Sequence, residues 1–193
     1  MKKLILASAV IFSAAMVRAE DSSFFQASLT PDIAIHPRTT EINGFAINIW
    51  GENPQHSFNL GIVNGSTGDS AGFSFGLANY SESYTGVQFG IVNYSTGIIR
   101  GWQAGVVNIS KGEFHGWMDG DVNISTGTFI GFQSGYVNVS TKDFSGLQLG
   151  LVNYAKNLHG VQVGAVNIAL NNGWFNEFPN KLAKGFPIVN WSF

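Results

Sequence analysis

Ser145-Gly146-Leu147-Gln148-Leu149-Gly150-Leu151-Val152-Asn153-Tyr154 is the stretch on which the reading of the whole chain turns. Its residues alternate as an extended strand does. Gly146, Gln148, Gly150 and Val152 fall on one face, and Leu147, Leu149 and Leu151 on the other. The same split recurs at Gly86, Gln88, Gly90 against Val87, Phe89, Ile91, and at Gly160, Gln162, Gly164 against Val161, Val163, Ala165.

Working outward, the stretch is one copy of a repeat. Gly61, Gly76, Gly90, Gly105, Gly120, Gly135, Gly150 and Gly164 each open a Gly-x-x-Asn unit that ends at Asn64, Asn79, Asn93, Asn108, Asn123, Asn138, Asn153 and Asn167. The spacing is fourteen or fifteen residues throughout. Most copies carry another Gly four residues earlier, from Gly72 and Gly86 to Gly146 and Gly160. Midway between the two glycines stands Gln88, Gln103, Gln133, Gln148 or Gln162, replaced by Ser74 and Met118 in two copies. Linkers such as Ser125-Thr126-Gly127 and Ser140-Thr141-Lys142 carry turn chemistry. Helices are excluded, because two or three Gly per fifteen residues would cost each one about 2–3 kcal/mol. The fold class is therefore all-β, with clear repeats over 44–170.

Two architectures accept the pattern. In an antiparallel outer-membrane barrel the Leu/Val/Phe face meets lipid and the Gly-Gln-Gly face lines a polar interior. Each strand of about ten residues would span about 33 Å, and less regular strands near 24–35, 42–50 and 186–193 bring the total to roughly ten to twelve. In a parallel β-solenoid each unit of ~15 residues is one coil, identical residues stack, and the Asn positions form an internal ladder. The alternating Val189, Trp191 and Phe193 favour the barrel, as a terminal aromatic closing strand. The linkers favour the solenoid: from each Asn to the next first Gly they run seven or eight residues without alternation, whereas barrel turns alternate between short and long. The barrel is the favoured expectation and the solenoid its alternative.

The ends and the composition place the chain outside the cytoplasm. Lys2 and Lys3, the apolar stretch from Leu4 to Met16, and the small residues Val17 and Ala19 read as a signal peptide over 1–19. That leaves 20–193 as a single repeat-built domain with a closing strand at about 186–193. Lys2, Lys3 and Arg18 belong to the signal, so seven of the ten basic residues face twelve acidic ones, a formal charge of −5. Nothing basic remains to track a phosphate backbone, which argues against a nucleic-acid partner. Only 11% of residues are charged while 45% are apolar. Globular domains carry about 25% charged residues, so the surface is expected to meet outer-membrane lipid, a surface ligand or another copy of the chain. There is no Cys, hence no disulfide and no lipoprotein signal.

Units such as Gly146-Leu147-Gln148-Leu149-Gly150-Leu151-Val152-Asn153 resemble the Gly-Leu-Gln-x-Gly-Leu-x-Asn repeats of poorly characterised bacterial surface-repeat proteins. The ending Phe186-Pro187-Ile188-Val189-Asn190-Trp191-Ser192-Phe193 is similar to theirs. The resemblance implies an outer-membrane or cell-surface location and transfers no catalytic residue. The functional expectation is a non-enzymatic outer-membrane or surface protein, a structural barrel or narrow conduit. A solenoid would instead be an adhesin or carbohydrate binder using rows of Asn and aromatic residues such as Trp102, Trp117 and Phe132.

No nucleophile elbow, phosphate loop, carboxylate pair of catalytic spacing or metal-ligand pattern is present, so no enzyme, cofactor or metal is implied. His36, His56, His115 and His159 are scattered, the last two at strand entrances. One copy breaks the pattern: Trp117, Asp119 and Asp121 take the face that is Leu147, Leu149 and Leu151 elsewhere, and Met118 takes the Gln place. His115, Trp117, Asp119 and Asp121 are the candidate ligand or interface patch, with Lys111 and Arg100 as the nearest bases; the bland reading is a local structural irregularity. Six sequon matches, at Asn64, Asn79, Asn93, Asn108, Asn123 and Asn138, arise from the repeat itself and point to side chains bonded to backbone.

Overall fold

The structure is a computed structural model that describes residues 22–193; the stretch 1–19, read from the sequence as a signal peptide, lies outside them. The described residues contain no helix. Seven strands follow one another: β1 (Ser22–Thr30), β2 (Ile33–Ala34), β3 (Glu41–Ser95), β4 (Ile99–Ser110), β5 (Phe114–Ser125), β6 (Phe129–Ala169) and β7 (Gly185–Ser192). β3 and β6 are long because extended backbone continues round several coils. The sheet order is β2-β1-β3-β4-β5-β6-β7.

Successive repeats pair in parallel and in register. Gly86, Gly101, Gly116 and Gly131 stand beside one another, as do Asn93, Asn108, Asn123 and Asn138. Parallel neighbours one repeat apart make a β-solenoid of about eight coils and overturn the antiparallel barrel of ten to twelve strands. The first glycine of each unit explains why no straight strand forms. Gly116 has φ 140°, and a Cβ there would lie 2.0 Å from the carbonyl oxygen of Gly101. Only Gly takes this left-handed conformation beside a stacked copy of itself, and it bends the chain. Inward residues recur at intervals of four, five, two and four (Phe114, Met118, Asn123, Ser125, Phe129), and the alternation shifts at the five-residue step from Met118 to Asn123, across the second glycine.

Each inward position builds a column along the coil axis. Tyr84, Ile99, Phe114, Phe129, Phe144 and Leu158 form the apolar column. Phe129 stacks between Phe114 and Phe144 at 4.9 and 5.3 Å. The polar columns bond along the coil axis. Asn93 donates to Asn108 Oδ1 at 2.8 Å, Asn108 to Asn123 at 2.9 Å, Asn123 to Asn138 at 2.9 Å and Asn138 to Asn153 at 2.9 Å. The second amide hydrogen goes to backbone: Asn93 to Ala104 O, Asn108 to Asp119 O, Asn138 to Leu149 O. The Gly-x-x-Asn spacing follows from this. A Cβ on Gly105 would meet Gly90 O at 2.1 Å and Asn93 Nδ2 at 2.9 Å, so the second glycine makes room for the amide ladder.

Both ends are capped. At the start, Gln26 donates to His36 O and Asn53 Oδ1 and accepts from the His36 backbone N–H. At the finish, β7 runs antiparallel along the last coil of β6, with Gln162 beside Asn190 and Val161 beside Trp191. Its outer edge is bonded by the segment before it, through Leu182 N–H to Trp191 O and Phe193 N–H to Asn180 O. The presumed closing strand is thus a cap: it meets only the last coil, the sheet never closes, and Phe193 is exposed.

Two substitutions test this interior. The glutamine column runs Gln88, Gln103, Met118, Gln133, Gln148, Gln162. Gln103 donates to Gln88 Oε1 at 2.8 Å, yet its own buried Oε1 has no partner, and the Gln133 side-chain N–H donates only to the Met118 sulfur, at 3.8 Å. Met118→Gln supplies a donor to the first and an acceptor to the second. It is expected to stabilise by about 1 kcal/mol, read as a rise of about 2–4 °C in the thermal midpoint. Gly116→Ala should lower stability by a few kcal/mol through the imposed strain and overlap, measured by chemical denaturation; an unchanged midpoint would contradict the stacked geometry.

Candidate functional site

The residues flanking the second glycine point outward on both sides of it. Leu60, Phe75, Phe89, Ala104, Asp119, Ser134, Leu149 and Val163 form one row along the coil axis, and Ile62, Leu77, Ile91, Val106, Asp121, Tyr136, Leu151 and Ala165 the other. Between them run the glycines, whose missing side chains would have pointed inward, so the floor is bare backbone. Two cavities occupy this trough, of about 650 Å³ and 460 Å³, and both reach Gly105, which joins them into one groove. Eight glycines at about 4.8 Å per coil give a length of roughly 34 Å. Phe75, Leu77, Ile91, Leu149 and Leu151 are exposed.

Beside the groove lies an aromatic column. Phe25, Phe45, Phe58 and Phe73 stack in succession, 4.8–6.4 Å apart and within 14° of parallel. Phe89, Trp102, Trp117 and Phe132 continue it, with Trp102 and Trp117 at 5.1 Å and 14°. Where rings lie parallel they cover one another's faces and offer edges to solvent. The Asn rows are buried. The Asn row is therefore closed to a ligand, whereas Trp117 is exposed and its ring is tilted by 58° from that of Phe132.

The four candidate residues are only partly brought together. Asp119 and Asp121 face each other across Gly120, one on each wall of the groove, and the Ser134 hydroxyl donates to Asp119 Oδ1. Trp117 belongs to the aromatic column next to them. His115 does not join: its Nε2 lies 2.6 Å from Glu113 Oε1, across the Gly116 bend. Lys111 sits over the Tyr94 ring at 5.3 Å, and Arg100 lines a separate cleft with His56 and Asp69. Among the described residues neither aspartate forms an ion pair, and no cluster of three His, Cys, Asp or Glu could hold a metal. The sequon asparagines are inaccessible, each being a rung of the buried ladder. What the sequence reading missed is the groove: the inward turn of the second glycine was visible only as a repeat position.

A second polar cluster lies at the N-terminal end. Arg38 bridges Asp32 at 3.0 Å and Glu52 at 3.4 Å, Trp50 Nε1 donates to the Tyr80 hydroxyl at 3.0 Å, and that hydroxyl donates to Glu52. It is structural in character, tying the first coil to the third. Family models, characterised proteins and solved structures give no match to this chain.

The Tyr80 cluster makes stability depend on alkaline pH. Burial, aided by the bond to Glu52, pushes the Tyr80 phenol up to about 12, and burial moves Tyr84 in the same direction. The folded state holds these protons more tightly than the unfolded chain, whose tyrosines titrate near 10. This contribution is complete below about pH 10 and is lost as pH rises through about 12. Thermal midpoints should fall across that window, and Tyr80→Phe should flatten the fall; an identical slope in the variant would show that Tyr80 does not contribute.

Proposed function

We propose that this chain is an exported, non-enzymatic β-solenoid of the bacterial surface, acting as an adhesin-type scaffold whose grooved apolar face is the binding surface. The observation that carries the reading is the exposure of that face. Together with the aromatic column its two walls cover roughly 34 Å by 13 Å, some 440 Å², broken by Asp119, Asp121 and Ser134. Exposed apolar patches of this size are often functional. The buried columns hold the coils together without these outward residues, so their apolar character needs a cause outside the fold. The amino-terminal signal and the resemblance to surface-repeat proteins support the location.

The test combines location with attachment. In intact cells producing the full chain, added protease should degrade it, and it should fractionate with the envelope. Replacing Leu77, Ile91, Leu149 and Leu151 together by Ser should reduce attachment of those cells to an alkyl-coated surface about tenfold, with the thermal midpoint of the purified protein unchanged. Release as a freely soluble periplasmic protein would overturn the location. Undiminished attachment of the variant would overturn the binding face.

A further inference from the structure

We infer that the glycine-floored groove binds a single-chain amphiphile with a cationic head, its hydrocarbon lying along Gly61–Gly105 and its head between Asp119 and Asp121. This rests on the preceding reading of the face as a binding surface and adds the ligand's chemistry.

The dimensions select the chain. The floor is one residue wide, because the position between the walls turns inward: a Cβ on Gly105 would meet Gly90 O and Asn93 Nδ2, and one on Gly90 would meet Asn79 Nδ2. The wall positions are two residues apart, about 6.6 Å along an extended strand. An α-helix, about 10–12 Å across with its side chains, does not fit. An extended peptide would lay its backbone N–H and C=O groups among apolar walls, where unpaired polar groups are costly. The floor's backbone groups are already engaged in coil-to-coil pairing. An unbranched hydrocarbon has no such groups. From Gly61 to Gly120 the four coil steps give about 19 Å of trough; Phe75, Leu77, Phe89, Ile91, Ala104 and Val106 wall the cavity along it.

The charge selects the head. At the end of this apolar arm the walls change together to Asp119 and Asp121, followed by Ser134 and Tyr136. Neither wall carries a basic residue in any coil, and neither aspartate is ion-paired among the described residues. Two carboxylates set close together favour a shared cation or basic group. The same pair disfavours other occupants of the face. A second copy stacked about a two-fold axis near Gly120 would bring four carboxylates together. A bilayer would have to accept two carboxylates within the apolar face. An ammonium at the end of a hydrocarbon chain satisfies both halves of the groove at once.

Titration calorimetry of the mature protein with dodecylammonium and with dodecanoate, each below micelle formation, tests the assignment. The expected result is one equivalent of dodecylammonium bound at least tenfold more tightly than dodecanoate, with the preference shrinking as salt is added. Asp119→Asn with Asp121→Asn should remove the preference while leaving chain binding. Ala104→Trp, filling the trough from its wall, should weaken both ligands at least tenfold with an unaltered circular dichroism spectrum. If Ala104→Trp disturbs the fold, Val106→Trp on the opposite wall takes its place. Equal affinity for the two heads in the unaltered protein overturns the head assignment and leaves alkyl-surface attachment intact. Loss of neither ligand in the wall variants places binding outside the groove and overturns the site. Failure to bind either ligand while alkyl-surface attachment persists overturns the amphiphile and keeps the binding face. A dimer in sedimentation that Ala104→Trp dissolves assigns the groove to a second copy and overturns it too.

Discussion

Each ladder asparagine from Asn93 to Asn138 has two amide hydrogens and uses both on the following coil, one on the next Asn and one on the backbone carbonyl just before the second glycine. A buried amide left without partners costs a few kcal/mol, so the arrangement holds only if every coil repeats the same residue at the same height. That demand fixes the rest. Identical residues must stack in register, which requires parallel pairing. The backbone must come close enough for a short side chain to reach the next coil, which requires the second glycine. The chain must return to the same place after each unit, which requires the bend at the first.

A second ladder runs beside the first with opposite polarity. Asn side chains donate toward the C-terminus, whereas Gln103, Gln148 and Gln162 donate toward the N-terminus, to Gln88, Gln133 and Gln148. The two columns of amide dipoles therefore point against each other along the axis. Parallel stacks of this kind extend without limit unless their ends are closed. Here Gln26 and its contacts close the first coil. At the other end Asn167 donates to Phe186 O and Gly164 O instead of to another Asn, and β7 crosses the last coil antiparallel. The direction change in β7 ends the ladder as well as the sheet.

The repeat and the all-β class were legible in the sequence because glycine spacing and alternation report local backbone directly; of the expected turns, Ser125-Thr126-Gly127 leaves the strand, whereas Ser140-Thr141-Lys142 stays extended within β6. The architecture was not, because alternation over Gly146–Val152 looks the same for a straight strand as for one bent at Gly146. A positive φ leaves no signature beyond the glycine itself, and Gln148 reads as a lumen residue or a ladder rung with equal ease. The uniform linker length did carry the answer: a chain that returns after every fifteen residues is coiling. The aromatic ending outweighed it, although Val189 and Trp191 suit a cap as well as a barrel seam. At the site, Asp119 and Asp121 were found from their departure from the repeat. Their separation from His115 was not, because the bend at Gly116 lies between them.

The relation between interior and exterior is what links this fold to a function. In most small domains the apolar residues are consumed by the core, and an exposed Leu needs no explanation. Here the core is largely amide and glycine, with the large apolar residues concentrated in one column from Tyr84 to Leu158 and Met118 standing in the glutamine column. The outward rows could be Ser, Thr or Lys without disturbing a single ladder bond. Ser134, Tyr136, Asp119 and Asp121 show that the backbone accepts polar residues there. The remaining coils nevertheless present Phe, Leu, Ile, Val and Ala at those places, along a groove that exposes many of them to solvent. Self-association is the ordinary hazard of such a surface, and two carboxylates near its middle oppose it. A face kept apolar at that hazard, and charged at one station only, is shaped by what it meets rather than by what it covers.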